Sequence, residues 1–207
     1  HPSFAAAIIG RVLEAAGFRV GIVSQPDWQT CEPWKEFSRP RLFFGISAGN
    51  MDWMINHYTA NRKVRNDDAY SPGGEIGRRP DRATLAYCQR AREAYKGVPI
   101  IAGGVEASLR RVAHYDYWSD KVKRSILLDA KADMIVYGMG EQTIVEIANG
   151  LRAGKTLDEL RQLRGVAYAL GAKESEQFRT PASEEYPTLT IPSFEQVRDD
   201  KPTFAEA

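Results

Sequence analysis

Three glycine-bearing turns follow apolar runs in this chain: Ser47-Ala-Gly-Asn50, Ala102-Gly-Gly104 and Tyr137-Gly-Met-Gly-Glu141. Glycine lets a backbone approach a ligand closely, and free N–H groups at a helix start attract anions. Ser47, Gly49, Asn50, Gly103, Gly104, Gly138, Gly140 and Glu141 are therefore the candidate cofactor-binding residues. The competing reading is that these glycines only make tight strand-to-helix turns, and G-G or G-M-G does not decide between the two. Neither G-x-x-x-x-G-K-[ST] nor G-x-G-x-x-G occurs, which argues against nucleotide sites of those kinds.

A second set of chemically able residues lies in the stretch 50–82, which follows directly on the apolar run Arg41–Ser47. It is polar and glycine-rich and has no clear period. Loops longer than about 12–15 residues are uncommon in compact domains and are usually functional or disordered. Arg62, Lys63, Arg65, Arg78 and Arg79 lie in it, and Arg110 and Arg111 further on. Guanidinium pairs suit phosphate or carboxylate recognition, so these seven are candidates for substrate or domain docking. Asp67, Asp68, Glu75 and Asp81 are interleaved with them, and the alternative is a solvated surface of local ion pairs. Tyr58, Tyr70 and Trp53 lie close enough in sequence to leave stacking on RNA open.

Other chemistries find little support. His1, His57 and His114 have no metal-ligand spacing to one another or to Cys31 and Cys88. His57 and His114 read as hydrogen-bonded structural residues, and Cys88, on an apolar helix stripe, as an inert core thiol. No G-x-S-x-G or H-E-x-x-H is present. Two cysteines without C-x-x-C imply no disulfide framework and point to a reducing, cytoplasmic setting. A net charge of +1 over 207 residues argues against a nucleic-acid binder over its whole surface. With 43% apolar and 27% charged residues and no long apolar run, the chain reads as globular, without a membrane span. It opens on His1 rather than Met, and reads as a piece of something longer.

The elements that must position these residues follow from periodicity. Pro2–Ala16 predicts an amphipathic helix through Phe4, Ile8, Ile9 and Val12. Strands are expected at Phe18–Ser24, Leu42–Ser47, Val98–Ala102, Asp133–Tyr137 and Gly165–Leu170. Helices are expected at Arg82–Tyr95, Glu106–Val112, from Ser119 to about Asp129, and after Glu141, with Thr156-Leu-Asp-Glu159 capping one more. Near-continuous apolar strands alternating with helices predict an α/β fold with a doubly wound, mainly parallel sheet, flavodoxin- or Rossmann-like. A helix with no strand before it implies a first strand ahead of His1. Residues 1–171 read as one domain and 172–207 as a polar linker toward a further one.

The runs Phe44-Gly-Ile-Ser-Ala-Gly-Asn-Met-Asp52, Asn56–Gly74, Ala102-Gly-Gly-Val-Glu-Ala-Ser-Leu-Arg-Arg111 and His114-Tyr-Asp-Tyr-Trp-Ser-Asp120 resemble the N-terminal region of the YgiQ family of radical SAM proteins. His1-Pro-Ser-Phe, Gln25-Pro-Asp-Trp28 and Tyr137-Gly-Met-Gly-Glu141 join that resemblance. It implies an accessory domain ahead of a radical SAM barrel in the same polypeptide. In that family the barrel's C-x-x-x-C-x-x-C motif holds a [4Fe–4S] cluster that cleaves S-adenosylmethionine. The motif is absent from this chain, so the resemblance implies a domain not catalytic alone, with its substrate unnamed. The layout is also similar to the cobalamin-binding domains of other radical SAM enzymes, although D-x-H-x-x-G is lacking. A stand-alone cobalamin or nucleotide module, and an RNA- or protein-docking module, are the alternatives.

Overall fold

The computed structural model describes residues 4–49, 53–171, 174 and 189–206. Four strands form its main sheet: β1 (Phe44–Ser47), β2 (Ile100–Gly103), β5 (Met134–Val136) and β6 (Val166–Ala167). They lie in the order β1-β2-β5-β6, the first three parallel and β6 antiparallel to β5. Between β2 and β5, strands β3 (His114–Asp116) and β4 (Lys121–Lys123) make a separate antiparallel hairpin.

Alternation along the short strands feeds two cores. Ile46, Ile100, Ala102 and Ile135 face one layer, with Tyr87, Cys88 and Ala91 of α3 (Ala83–Ala94), Ala107 of α4 (Gly104–Leu109) and Leu127 of α5 (Ile126–Ala130). Ile101, Met134 and Val136 face the other, with Leu13 of α1 (Phe4–Ala15) and Ile144 and Ile147 of α6 (Glu141–Arg152). The sheet is thus covered on both faces, as a doubly wound α/β fold requires. Ile100, Ile135 and Ile147 are fully buried, and each such side chain contributes about 1.5–3 kcal/mol of transfer free energy.

Local chemistry explains the helix ends. In α1, Gly17 takes a φ of +82° and the N–H of Phe18 returns to the Leu13 carbonyl at 3.0 Å, a glycine-terminated stop. Ser125 caps α5 by accepting from Leu127 N at 3.2 Å. Thr156 and Glu159 make their expected bonds, but the element they start is only the 3-10 turn Asp158–Leu160.

Three expectations change. Phe18–Ser24 is not a strand: Phe18 and Val20 pack on the α1–α6 core, and the segment joins no ladder among the described residues. Phe4, placed on the buried stripe of α1, is 69% exposed. The helix expected from Ser119 starts only at Ile126. Ser119 instead gives its hydroxyl to Asp116 at 2.6 Å, and the chain turns at Asp120 (φ 52°) into β4. Within 172–207, α7 (Phe194–Asp199) starts with a Ser193–Gln196 capping box and buries Val197, packing against β4. Helix α8 (Lys201–Glu206) follows.

Candidate functional site

The carboxyl ends of β1, β2 and β5 lie side by side, as the parallel register dictates. Ser47 Oγ accepts from Gly49 N at 3.1 Å. Gly104 has a φ of +78°, and a Cβ there would sit 2.5 Å from Ser47 Oγ. A Cβ on Gly140 would meet Val136 Cγ1 at 2.7 Å. Gly104 and Gly140 are therefore needed for packing between strand ends. Gly138 differs: it too has positive φ, but open space surrounds its Cβ direction. Met139 beside it is 87% exposed, and Glu141 begins α6. Asn50, also a candidate, lies outside the described residues.

Residues 53–82 run as a string of turns tied by side chains to the β3–β4 hairpin and to Gln25. Helix α2 (Trp53–His57) leads into a bridge between Tyr58 and Val64. Arg62, at the tip of that turn with φ 59°, donates to the carbonyls of Tyr117 (2.9 Å) and Trp118 (3.1 Å) and stacks on the Tyr117 ring. Arg65 donates to the Tyr58 carbonyl at 3.0 Å, Arg78 pairs with Glu75, and Arg111 donates to Ser108 O at 2.6 Å and lies over the Tyr137 ring. Among the seven docking candidates Arg79 is buried, 4% exposed, and turned inward. The six guanidiniums all have partners within the domain. Local ion pairing, the alternative reading, describes Arg78 and Arg79, although Arg79 is not at the surface.

The interior of the segment is built around Asp68 and Asp81, two of the interleaved acidic residues, and is joined to Asp116 and Glu106, which were not among the candidates. Asp68, 1% exposed, accepts from Arg79 Nε (2.6 Å), Ser71 Oγ (2.7 Å) and Tyr70 N (3.0 Å). Burial works against its ionised form, but the bonds from Arg79, Ser71 and Tyr70 outweigh it and hold the carboxyl below its ordinary range. His57 lies between two carboxylates, Nδ1 2.9 Å from Asp81 and Nε2 3.6 Å from Asp68. Tyr58 donates to Asp81 at 2.9 Å. Arg82 then reaches Asp116 of the hairpin at 2.6 Å, and Thr84 donates through both N and Oγ1 to Glu106 of α4, which also pairs with Arg110 at 2.9 Å. For Asp116 burial is again overcome, by Arg82 and Ser119, and its pKa falls to about 2. Asp68 and Asp116, held below the ordinary carboxylate range, are ionised and poor proton acceptors at neutral pH. The bonds to Asp116 and Glu106 tie the end of the segment and the start of α3 to the hairpin and to α4.

Among the described residues no three His, Cys, Asp or Glu side chains are grouped to hold a metal. Cys88 is fully buried, with burial pushing its thiol up to about 12. No step through a cluster is assigned to these residues.

A doubly wound parallel sheet carrying its loops at the strand carboxyl ends defines a Rossmann-like domain. The family model described as radical SAM N-terminal matches residues 1–207, and the chain belongs to that family. A UPF0313 protein of Rhodopseudomonas palustris is 55% identical over 218 residues, covering 100% of this chain and 32% of that protein. One of Geobacter sulfurreducens is 51% identical over 207 residues, 100% of this chain and 33% of the relative. One of Vibrio vulnificus is 60% identical over 173 residues, 84% of this chain and 22% of the relative. The UPF0313 proteins are the YgiQ family of the resemblance, and the chain spans about a third or less of their length. No solved structure matches. No helix among the described residues is long and apolar enough to cross a membrane.

Proposed function

We propose that this is the accessory N-terminal domain of a radical SAM enzyme, seated on the catalytic barrel through the carboxyl-end face of its sheet. The observation that carries this reading is the exposure of apolar side chains just past the strand ends: Met139, after β5, at 87% and Val105, after β2, at 49%. Apolar surface gathered at one face favours a protein partner, and relatives about three times longer supply one in the same polypeptide. In this reading Ser47, Gly49, Asn50, Gly103, Gly104, Gly138, Gly140 and Glu141 line the enclosed space. Lys63, Arg65, Arg78 and Arg111 contribute polar contacts around it. The network of residues 57–82 supplies a stiff wall and no chemistry of its own.

The iron–sulfur cluster and S-adenosylmethionine belong, on this reading, to the rest of the polypeptide. The full-length protein is expected to bind a [4Fe–4S] cluster and cleave S-adenosylmethionine, whereas residues 1–207 alone bind no cluster after reconstitution with iron and sulfide. Cluster binding by residues 1–207 alone would overturn the assignment.

A further inference from the structure

The main sheet is open along one edge. Strand β1 is its outermost member and pairs with β2 alone among the described residues. Phe44 N donates to the Pro99 carbonyl at 2.8 Å, so Phe44 and Ile46 turn their backbone groups toward β2, and Gly45 and Ser47 turn theirs to the free side. The strand, Phe44-Gly-Ile-Ser47, carries no charge, proline or bulge of the kind that protects a permanent edge. Gly45 is exposed in the middle of it. A row of free N–H and C=O groups without such protection is a template for one more strand.

A second observation lies in Phe18–Ser24. Val20 and Ile22 approach Gly10 of α1: a Cβ there would sit 3.8 Å from Val20 Cγ1 and 3.0 Å from Ile22 Cδ1. A Cβ on Gly21 would instead meet the Phe37 ring at 2.6 Å. Successive residues thus alternate between two neighbours with the period of a strand, yet no strand among the described residues pairs with them. Ile22 and Phe37 stay 49% and 59% exposed.

Crossover handedness says where the absent neighbour goes. Helix α3 carries the chain from β1 to β2 across one face of the sheet. Parallel crossovers are right-handed in about 98% of cases, so links on that face move the chain in the β1-to-β2 direction and links on the other face move it back. Helix α1 lies on the other face. The strand that feeds it therefore stands on the β2 side of Phe18–Ser24. The next link carries Trp28 and Trp34, which pack in the α3 layer, and it returns the chain toward β2, ending at β1. Strands β1 and β2 are bonded without a gap. The slot left for the feeding strand is between Phe18–Ser24 and the free edge of β1.

We infer that the free edge of β1 takes up a parallel strand of the same polypeptide, the one that feeds α1, with Phe18–Ser24 flanking its far side. The four-stranded sheet is thereby extended beyond β1. Lying between the α1 layer and the α3 layer, the added strand is covered on both faces, so it is a near-continuous apolar run. Relatives about three times longer than this chain have sequence to supply it. The inference is independent of the barrel-docking reading, which concerns the carboxyl ends of the strands and not an edge.

The test is amide hydrogen exchange of the full-length protein, read at single residues by mass spectrometry, with and without the polypeptide ahead of His1. The amides of Phe44 and Ile46, held by β2 in both forms, report that the sheet is intact. Those of Gly45 and Ser47 are expected to be protected in the full-length protein and to exchange about a hundredfold faster or more after the removal. Where the removal also releases Phe44 and Ile46, the segment is instead cut after folding, at a protease site introduced ahead of His1. It is then expected to stay bound through gel filtration. Fast exchange of Gly45 and Ser47 in the full-length protein overturns the inference, as does their continued protection once the segment has been removed or has departed.

Discussion

Arg79 and Asp68, eleven residues apart, form a two-point ion pair whose side chains are 3% and 0% exposed. It is the pin of the 53–82 segment. Asp68 also gathers Ser71, the Tyr70 amide and the approach of His57, and Ser71 in turn takes a bond from Gln25 at 2.8 Å. Removing one partner leaves an uncompensated buried charge, which costs about 3–5 kcal/mol. Arg79→Met is therefore expected to lower the urea-unfolding free energy by about that amount. The double variant Arg79→Met with Asp68→Leu should lose much less than the sum of the single changes. Additive losses would mean that the two residues do not act as a pair.

Acid sensitivity should follow from Asp116. Its folded pKa of about 2 lies below the unfolded value, so the folded chain binds fewer protons than the unfolded chain between them. The stabilisation is present above about pH 4 and is lost as pH falls toward 2, on the order of 2 kcal/mol in all. Urea midpoints measured across that window should drop steeply in the native protein and less so in Asp116→Asn. Equal slopes would remove Asp116 as the source.

Gly104 joins β2 to α4 under two constraints, a φ of +78° and the proximity of Ser47 Oγ. Gly104→Ala is expected to destabilise by more than about 2 kcal/mol, of which the left-handed backbone accounts for about 1–2. Adding Ser47→Ala removes the overlap with Oγ and should restore only the remainder. Full recovery in the double variant would show that the backbone conformation costs nothing.

The two cysteines should react unequally. Cys88 is fully buried, with its thiol pushed up to about 12, while Cys31 is half-buried on a loop. Since the thiolate is the reactive form, a maleimide at pH 7.5 should label Cys31 and leave Cys88 unmodified until the protein unfolds, as read by peptide mass spectrometry. Labelling of Cys88 in the folded protein would contradict the core packing around it.

The parallel strands were legible because Leu42–Ser47, Val98–Ala102 and Asp133–Tyr137 are apolar runs buried on both faces, and α6 because Ile144 and Ile147 keep helical spacing. The same logic misread Phe18–Ser24: the alternation of Phe18 and Val20 reports burial against α1 and α6, not a ladder. The hairpin His114–Lys123 escaped notice because its strands are three residues long and mostly polar. Its position depends on Arg82 reaching Asp116 from 34 residues away. The glycine turns were visible at the strand ends, but only the geometry separates Gly104 and Gly140, which serve packing, from Gly138, which faces open space. Asp68 and Arg79 were visible as charges in a mixed-sign stretch. Nothing in their spacing distinguishes a buried pair from a solvated one, because that choice is made by the tertiary contacts of Gln25, Ser71 and His57.

The central claim is that the rest of the polypeptide covers the carboxyl-end face of the sheet, and site-specific thiol labelling tests it most directly. Met139→Cys at that face and Arg11→Cys on α1 compare positions of similar exposure within the domain, 87% for the residue and 85% for the side chain. Both are placed in the full-length protein carrying Cys31→Ser, with labelling read at each site by mass spectrometry. The account predicts that the thiol introduced at position 139 labels at least about tenfold more slowly than the one at position 11, the effect of an opening free energy of about 1.4 kcal/mol. Equal labelling rates at the two positions would contradict it.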